Sequence, residues 1–287
     1  MKGIIVAAGY GTRFLPVTKT IPKEMIPLVN VPSIQFIVDE FVASGITDIV
    51  IISSRRKKVL EDYFDREVEL EGVFEREGKA RQLAAIAPGK ANIAFVRQQR
   101  MMGTGHALLQ VKSWVGNDAC VVAYPDDLHM GSVPLAAQLV AAYRETGCSV
   151  MASITEPGDV SRYGVLSIGK DGRHVTGIVE KPAPGSEPSH EVSIGRYLYT
   201  PEFFGLLEEG WRIHLADAER AGREAGEYFH IYALNKLMDA GKVVYCPTAG
   251  ERLDTGEPAG YLDAVLRYAD TQSELRAVID RFIASRK

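Results

Sequence analysis

The chain has 287 residues, 46% hydrophobic and 24% charged, with a formal net charge of −4 and a pI near 5.9. That suits one large α/β domain able to bury about three quarters of its unfolded surface, so no disulfide or metal staple is needed for a core. The acidic balance excludes global attraction to nucleic acid or to anionic membranes, and any anionic ligand must be met by local positive charge. Cys120, Cys148 and Cys246 are odd in number and lack metal or redox spacing, which predicts a reducing cytoplasm. The apolar stretch of MKGIIVAAGYG is too short for a signal peptide, and no run approaches a membrane span.

Taken in order, Lys2–Ala8 (KGIIVAA) predicts a short buried strand and Ser33–Ser44 (SIQFIVDEFVAS) a helix. Asp48–Ser53 (DIVIIS) is a second strand, followed by a helix around Arg56–Phe64. Between Phe64 and Ala87, apolar residues at helical spacing in a charged background predict a helical excursion. Ile93–Arg97 and Ala119–Tyr124 are further strands, with a glycine-led helix from about Gly105 between them. Pro134–Thr146 is a helix and Ser149–Ile154 a strand. Alternation of this kind predicts a mostly parallel sheet with helices on both faces. The pattern then changes: GVLSIGKDGRHVTGIVEKP reads as two strands around a Lys-Asp-Gly turn. Glu191–Tyr199 is another strand, Lys242–Pro247 holds one more, and helices run from about Pro258 to Ser285.

The stretch GYGTRFLPVTKTIPKEM, Gly9 to Met25, carries the first chemical signal. Glycines directly after a strand usually cradle phosphate, but a dinucleotide fingerprint requires a third glycine where this chain has Phe14. Prolines at 16, 22, 27 and 32 forbid a regular helix at the turn, and a Walker lysine is absent. The segment is therefore a long irregular loop at the carboxyl edge of the first strand, where open α/β sheets bind ligands. Ala7, Ala8 and Gly9 are small enough for a base or ribose to lie on backbone. Gly11, Thr12 and Arg13 offer N–H groups and a guanidinium to phosphate oxygens, and Lys23 adds a point charge. A proline-rich surface loop with solvated cations is the competing reading.

G-x-G-T-R-x-x-P with K-x-x-P-K-E-M resembles the signature of the sugar-1-phosphate nucleotidyltransferases. The chain is most similar to their bacterial UTP–glucose-1-phosphate uridylyltransferase branch. VRQQRMMGTGHAL, AYPDDLH, RYGVL, GIVEKP, IGRYLY and LDTGEPAGYLDAV follow in that family's order, and DREVELEGVFEREGKARQLAAI resembles its helical insertion. The resemblance implies a single Rossmann-like, three-layer α/β/α domain of the glycosyltransferase-A-like kind around a mixed, mostly parallel sheet. Residues 1–155 would form the nucleotide-binding half, 156–255 the sugar-phosphate half and 256–287 the C-terminal helices. It further implies UTP and glucose 1-phosphate as substrates, UDP-glucose and pyrophosphate as products, Mg2+ as cofactor, and a homodimer or homotetramer.

Residue by residue, Asp126 ends the strand CVVAY, a place where a carboxylate can meet a metal or simply shape a turn. The resemblance makes Asp126 a Mg2+ ligand and Asp254 of LDTG the second, a pair that leaves room for phosphate and water. On its own, Asp254 reads as a turn or cap. Glu180-Lys181-Pro182 ends a strand and could be a solvated edge; by resemblance Glu180 accepts from sugar hydroxyls and Lys181 holds the sugar phosphate. Gly164 and Gly195 would let the sugar approach backbone, or could mark bulges. Gln98 has an amide able to read a base edge, and the family uses it with Ala8 and Gly103 for uracil. Glu24 is expected at the nucleotide side. No histidine shows ligand or nucleophile context, which excludes triad chemistry.

The implied reaction needs no strong base, because the attacking phosphate oxygen is already anionic; positioning and charge neutralisation suffice. Arg13, Lys23 and Lys181 are the expected catalytic cations. The chain departs from the family at GEYFHIYALNKLMDAGKV, where a Gln, a Thr and an Asp are replaced. By resemblance that segment lies near the sugar and subunit contacts, so the change is expected to bear on sugar identity or assembly. Rival readings are a thymidylyltransferase or a uridylyltransferase for another hexose phosphate, a nicotinamide-dependent oxidoreductase, and a non-catalytic nucleotide-sugar sensor.

Overall fold

The computed structural model describes residues 1–286. The chain opens with strand β1 (Lys2–Val6), and the proline-studded loop after it holds only 3-10 turns at Thr12–Phe14, Val17–Lys19 and Lys23–Met25. A two-residue pair, β2 (Pro27–Leu28) and β3 (Val31–Pro32), closes the loop against helix α1 (Ser33–Ala43). Strand β4 (Asp48–Ser53) leads to α2 (Lys58–Phe64), then α3 (Val68–Arg76) and α4 (Ala80–Ala85). The expected helical excursion is thus two helices, parted where Gly78 takes a positive φ of 66°. Strand β5 (Asn92–Arg97) is followed by α5 (Gly103–Leu109), which begins two residues before the predicted glycine, and α6 (Lys112–Val115). Strands β6 (Cys120–Ala123) and β7 (Asp127–Met130) precede α7 (Leu135–Thr146), which stops at Gly147 in the left-handed conformation.

Next come β8 (Ser149–Thr155), the hairpin β9 (Gly164–Ile168) and β10 (Val175–Glu180), and the long β11 (Glu191–Tyr199). Helices α8 (Phe203–Arg220) and α9 (Ile231–Asp239), strands β12 (Val243–Pro247) and β13 (Glu251–Asp254), and helices α10 (Pro258–Asp270) and α11 (Ser273–Ala284) complete the chain. Among the described residues no helix is long and apolar enough to cross a membrane.

The main sheet runs β10-β9-β11-β6-β1-β4-β5, with β8 on β11 and β12 on β8. Its N-terminal half, β6-β1-β4-β5, is parallel, while β11 meets β6 and β8 antiparallel. This is the expected mixed sheet with helices on both faces. The pleat explains why β1 and β4 are apolar throughout. Ile5, Ile49 and Ile51 pack with Ile34, Ile37 and Phe41 of α1 on one side; Ile4, Val50 and Ile52 pack with Leu108 and Phe203 on the other. Each such side chain fully withdrawn from water contributes about 1.5–3 kcal/mol. Gly3 is where α1 presses closest, since a methyl group there would come within 2.6 Å of the Phe41 ring.

The feature that most shapes the site is absent from the predicted elements. Strands β7 and β13 form a separate antiparallel ribbon that sets Asp127 opposite Asp254. A buried ion pair ties this corner to the core: Arg196 of β11, fully buried, donates from Nε and Nη2 to both carboxylate oxygens of Glu40 on α1 at 2.9 Å. Its Nη2 also reaches the Asp127 carbonyl at 3.3 Å.

Candidate active site

Past β1 the backbone turns at Gly11, with φ 68° and ψ 33°, a conformation costing an L-residue about 1–2 kcal/mol. The Thr18 hydroxyl donates to the Gly11 carbonyl at 2.7 Å and folds the loop back on itself. Arg13 and Lys23 thereby reach one cavity of about 250 Å3, shared with Gly11, Thr12, Asp126 and Gly256. Lys23 Nζ donates to Asp126 Oδ2 at 2.5 Å, and Arg13 Nη1 reaches the Gly256 carbonyl at 3.4 Å. Burial pushes the Asp126 carboxyl up, but the Lys23 ammonium and the Arg13 guanidinium outweigh it and hold the group below the ordinary carboxylate range.

The β7–β13 ribbon brings the second predicted acid to the same place. Thr255 N–H donates to the Asp126 carbonyl at 2.8 Å, and Gly256 N–H donates to Asp254 Oδ1 at 2.9 Å. A methyl group placed on Gly256 would lie 3.1 Å from Asp254 Oδ1, 3.4 Å from Asp126 Oδ2 and 3.5 Å from Arg13 Nη1. Two carboxylates and a guanidinium therefore surround the backbone at Gly256. Among the described residues no group of three or more His, Cys, Asp or Glu side chains is set to hold a metal. The donor set fits Mg2+, which binds through one or two carboxylates and keeps phosphate and water for its remaining positions. Asp127 is committed elsewhere: Arg252 Nε donates to its Oδ1 at 2.7 Å, and Gly195 N–H to its Oδ2 at 2.8 Å.

Three of the predicted sugar-side residues, Gly164, Glu180 and Lys181, lie at the open end of the β9–β10 hairpin, while Gly195 lies on β11 against Asp127. Gly164 is the register partner of Glu180, and a methyl there would meet Glu180 Oε1 at 2.9 Å. Gly195 makes a similar close approach, with Asp127 Cβ 3.0 Å from where its own Cβ would be. Glu180 and Lys181 are exposed. Lys181 takes φ 48°, one of two non-glycine residues with positive φ among those described, and such strain clusters at ligand sites. Its N–H donates to the Tyr163 carbonyl at 2.9 Å, and the Tyr163 ring lies 5.7 Å from the Arg252 guanidinium. A chain of contacts thus connects the Glu-Lys-Pro turn to the acidic ribbon.

A second cavity of about 230 Å3 opens on the other side of Gly9, lined by Ala8, Gln98, Gly103, Glu227 and Phe229 among others. It unites Ala8, Gly9, Gln98 and Gly103 as the sequence predicts. Gly103 sits at φ 87°, and a methyl on it would strike the Tyr228 carbonyl at 2.5 Å. Tyr228 N–H donates to the Met102 carbonyl at 2.7 Å, and its carbonyl accepts from Gly105 N–H at 2.9 Å. The altered GEYF stretch is therefore docked on the head of α5, facing this cavity.

Glu24 departs from expectation. It is 1% exposed and lines neither cavity. Both of its oxygens accept from Nζ of Lys57, itself 5% exposed, at 2.8 Å. The same ammonium donates to the Ala7 carbonyl. All its protons are used, and the pair pins the turn bearing Lys23 to the end of β1. Sequence reasoning missed Lys57 because it sits in the run RRKK, which looks like any solvated cationic cap. It missed Arg252 as well, since nothing in ERLD sets that arginine apart.

A family model described as nucleotidyl transferase matches residues 2–271. The chain belongs to the nucleotidyl transferase family. Within that family it is 39% identical to the UTP–glucose-1-phosphate uridylyltransferase of Staphylococcus epidermidis over 289 residues, covering 98% of this chain and 96% of the relative. A UTP-bound UGPase from Acinetobacter baumannii superposes with a TM-score of 0.86 at 32% identity, over 100% of this chain and 99% of the other. A UDP-glucose pyrophosphorylase complexed with UDP-glucose gives 0.77 at 33% identity, over 94% and 99%. A nucleotidyl transferase needs cations for a polyphosphate and carboxylates for its metal, and the cavity of Arg13, Lys23 and Asp126 offers both.

Proposed function

We infer that this chain transfers a uridylyl group from UTP to glucose 1-phosphate, giving UDP-glucose and pyrophosphate. One observation carries the reading: Arg13, Lys23 and Asp126 share a cavity that the Gly9–Gly11 turn joins to a second cavity holding Ala8, Gln98 and Gly103. A triphosphate and a base fit that adjacency. The names of the relatives and of their bound ligands supply the sugar.

The sugar phosphate oxygen attacks the α-phosphorus in line, and pyrophosphate departs opposite. Arg13 neutralises the triphosphate and the leaving group, with the N–H groups of Gly11 and Thr12 beside it. Lys23 leaves Asp126 for the α-phosphate, where it stabilises charge that grows only in the transition state. Gln98, Ala8 and Gly103 hold the base. Lys181 aims the sugar phosphate, Glu180 accepts from sugar hydroxyls, and Gly164 and Gly195 keep the backbone near the ring. Asp126 and Asp254 would hold Mg2+, which when bound supplies charge neutralisation among the phosphates. Glu24 acts only through Lys57.

The test is pyrophosphate release with Mg2+ across UTP, dTTP, CTP and ATP against glucose-, galactose-, N-acetylglucosamine- and mannose-1-phosphate. Turnover confined to UTP with glucose 1-phosphate is expected. Turnover with a different sugar would move the substrate, and none with any pair would replace the enzyme by a binding protein.

A further inference from the structure

Gln98 is 4% exposed, yet it lines the second cavity. Its Nε2 donates to the Gly103 carbonyl at 3.1 Å and lies 3.0 Å from Nδ1 of His106. A carbonyl can only accept, so the Gly103 oxygen fixes which end of the amide is the NH2 group. The second N–H then points at His106 Nδ1, which must present a lone pair. With both protons taken by the protein, Oε1 is the atom left for a ligand.

Trp211 packs on the His106 ring with centroids 5.3 Å apart. Gln110 Nε2 lies 3.3 Å from His106 Nε2 and donates to the His106 carbonyl at 3.1 Å. Two amide NH2 groups thus face one imidazole, which in its neutral form accepts at a single nitrogen. The Gln98 contact is the shorter and belongs to the more buried amide, while Gln110 keeps the backbone carbonyl as its partner. Burial lowers the His106 imidazole, and Arg100 acts in the same direction, so the ring is neutral at neutral pH.

We propose that His106, as the Nε2–H tautomer, is a specificity-determining positioning residue: it locks the Gln98 amide so that only a carbonyl oxygen faces the base. That oxygen accepts from the N3–H of uracil and opposes the N3 lone pair of cytosine. Thymine carries the same N3–H, so the lock separates uracil from cytosine and is indifferent to the methyl group. A site built to hydrogen-bond one analogue discriminates strongly against one that leaves its buried groups unpaired.

The inference rests on the uridylyl-transfer reading, and two measurements separate their failures. Nitrogen-15 NMR of the wild-type protein reports the His106 tautomer without any assay of turnover; the Nε2–H form is expected, and an Nδ1–H form would overturn the lock. Kinetics then compare kcat/KM for UTP and CTP in His106→Leu, which removes the acceptor, and His106→Asn, which replaces it with a side-chain oxygen. His106→Leu should lower the UTP-to-CTP ratio by about tenfold or more, and His106→Asn should keep most of it. Loss of folded protein depresses both nucleotides alike and leaves the ratio unchanged. A ratio that stays put in His106→Leu, or falls equally in His106→Asn, would overturn the proposal. Absence of UTP turnover in the wild type would instead count against the function inferred above.

Discussion

Nζ of Lys23 and Oδ2 of Asp126 lie 2.5 Å apart, joining the first loop to a carboxylate 103 residues further on. The pair keeps the Asp126 carboxyl ionised and holds Lys23, the proposed catalytic cation, at the cavity it shares with Arg13. Lys23→Ala should reduce kcat by about 100-fold or more with little change in KM, as expected for a charge that acts in the transition state. Near-normal kcat would remove Lys23 from the chemistry.

The same pair sets an acid limit. Asp126 is held below its ordinary value of 3.8, so its contribution to stability is present above that value and is lost as pH falls through the lower folded pKa. Without the ammonium, Arg13 is the one nearby cation left to oppose burial, and the folded pKa rises. Denaturation curves should therefore show the stability deficit of Lys23→Ala largest above the carboxylate range and narrowing as pH falls and Asp126 is protonated; a gap that does not narrow towards acid pH would refute the coupling.

Lys57 and Glu24 form the buried counterpart of that pair. Deleting one member of a buried ion pair typically costs about 3–5 kcal/mol, because the other charge stays behind, while replacing both with apolar residues is far milder. In urea, Lys57→Met should unfold well before wild type, and adding Glu24→Met should restore much of the loss. A double variant no better than the single one would show that packing, not charge, is at stake.

Lys181 combines a proposed sugar-phosphate role with a strained backbone at φ 48°, and two substitutions separate them. Lys181→Ala and Lys181→Gly should both raise KM for glucose 1-phosphate by about tenfold, the tax of losing one charged hydrogen bond. Lys181→Gly should also gain roughly 0.5–1 kcal/mol over alanine, since glycine adopts that conformation freely. An unchanged KM in both variants would take Lys181 out of the sugar-phosphate site.

Gly103→Ala meets two obstacles at once, a φ of 87° and a carbonyl 2.5 Å from the new carbon. The Tyr228 segment must shift away from α5, widening the base cavity and releasing the Gln98 amide. KM for UTP should rise about tenfold or more while KM for the sugar phosphate holds. Equal rises in both would show that the distortion is not confined to the cavity of Gln98 and Gly103.

Much of this was legible in the sequence because local pattern and local structure agree. Strands β1 and β4 are apolar on both faces, so DIVIIS read correctly to the residue, and the prolines of the first loop ruled out helix before any coordinates. The ribbon of β7 and β13 was not legible. DLHM is half polar and ERLD three-quarters polar, and these four-residue runs become strands only by pairing across more than a hundred residues. The pairing of Glu24 was hidden for a related reason: nothing in the sequence shows that the carboxylate next to Lys23 is buried against Lys57. The placement of Phe229 likewise depended on where α8 and α9 return the chain.

That ribbon also orders events during synthesis. Asp126 emerges from the ribosome early, with the parallel strands that frame it, but its partner at position 254 follows only after β13 has been made. A nascent chain halted before that point carries Arg13, Lys23 and Asp126 but lacks Asp254, the second of the two proposed metal-binding carboxylates. The proposed acidic pair is therefore the last part of the site to be assembled, complete only once the final strand has docked.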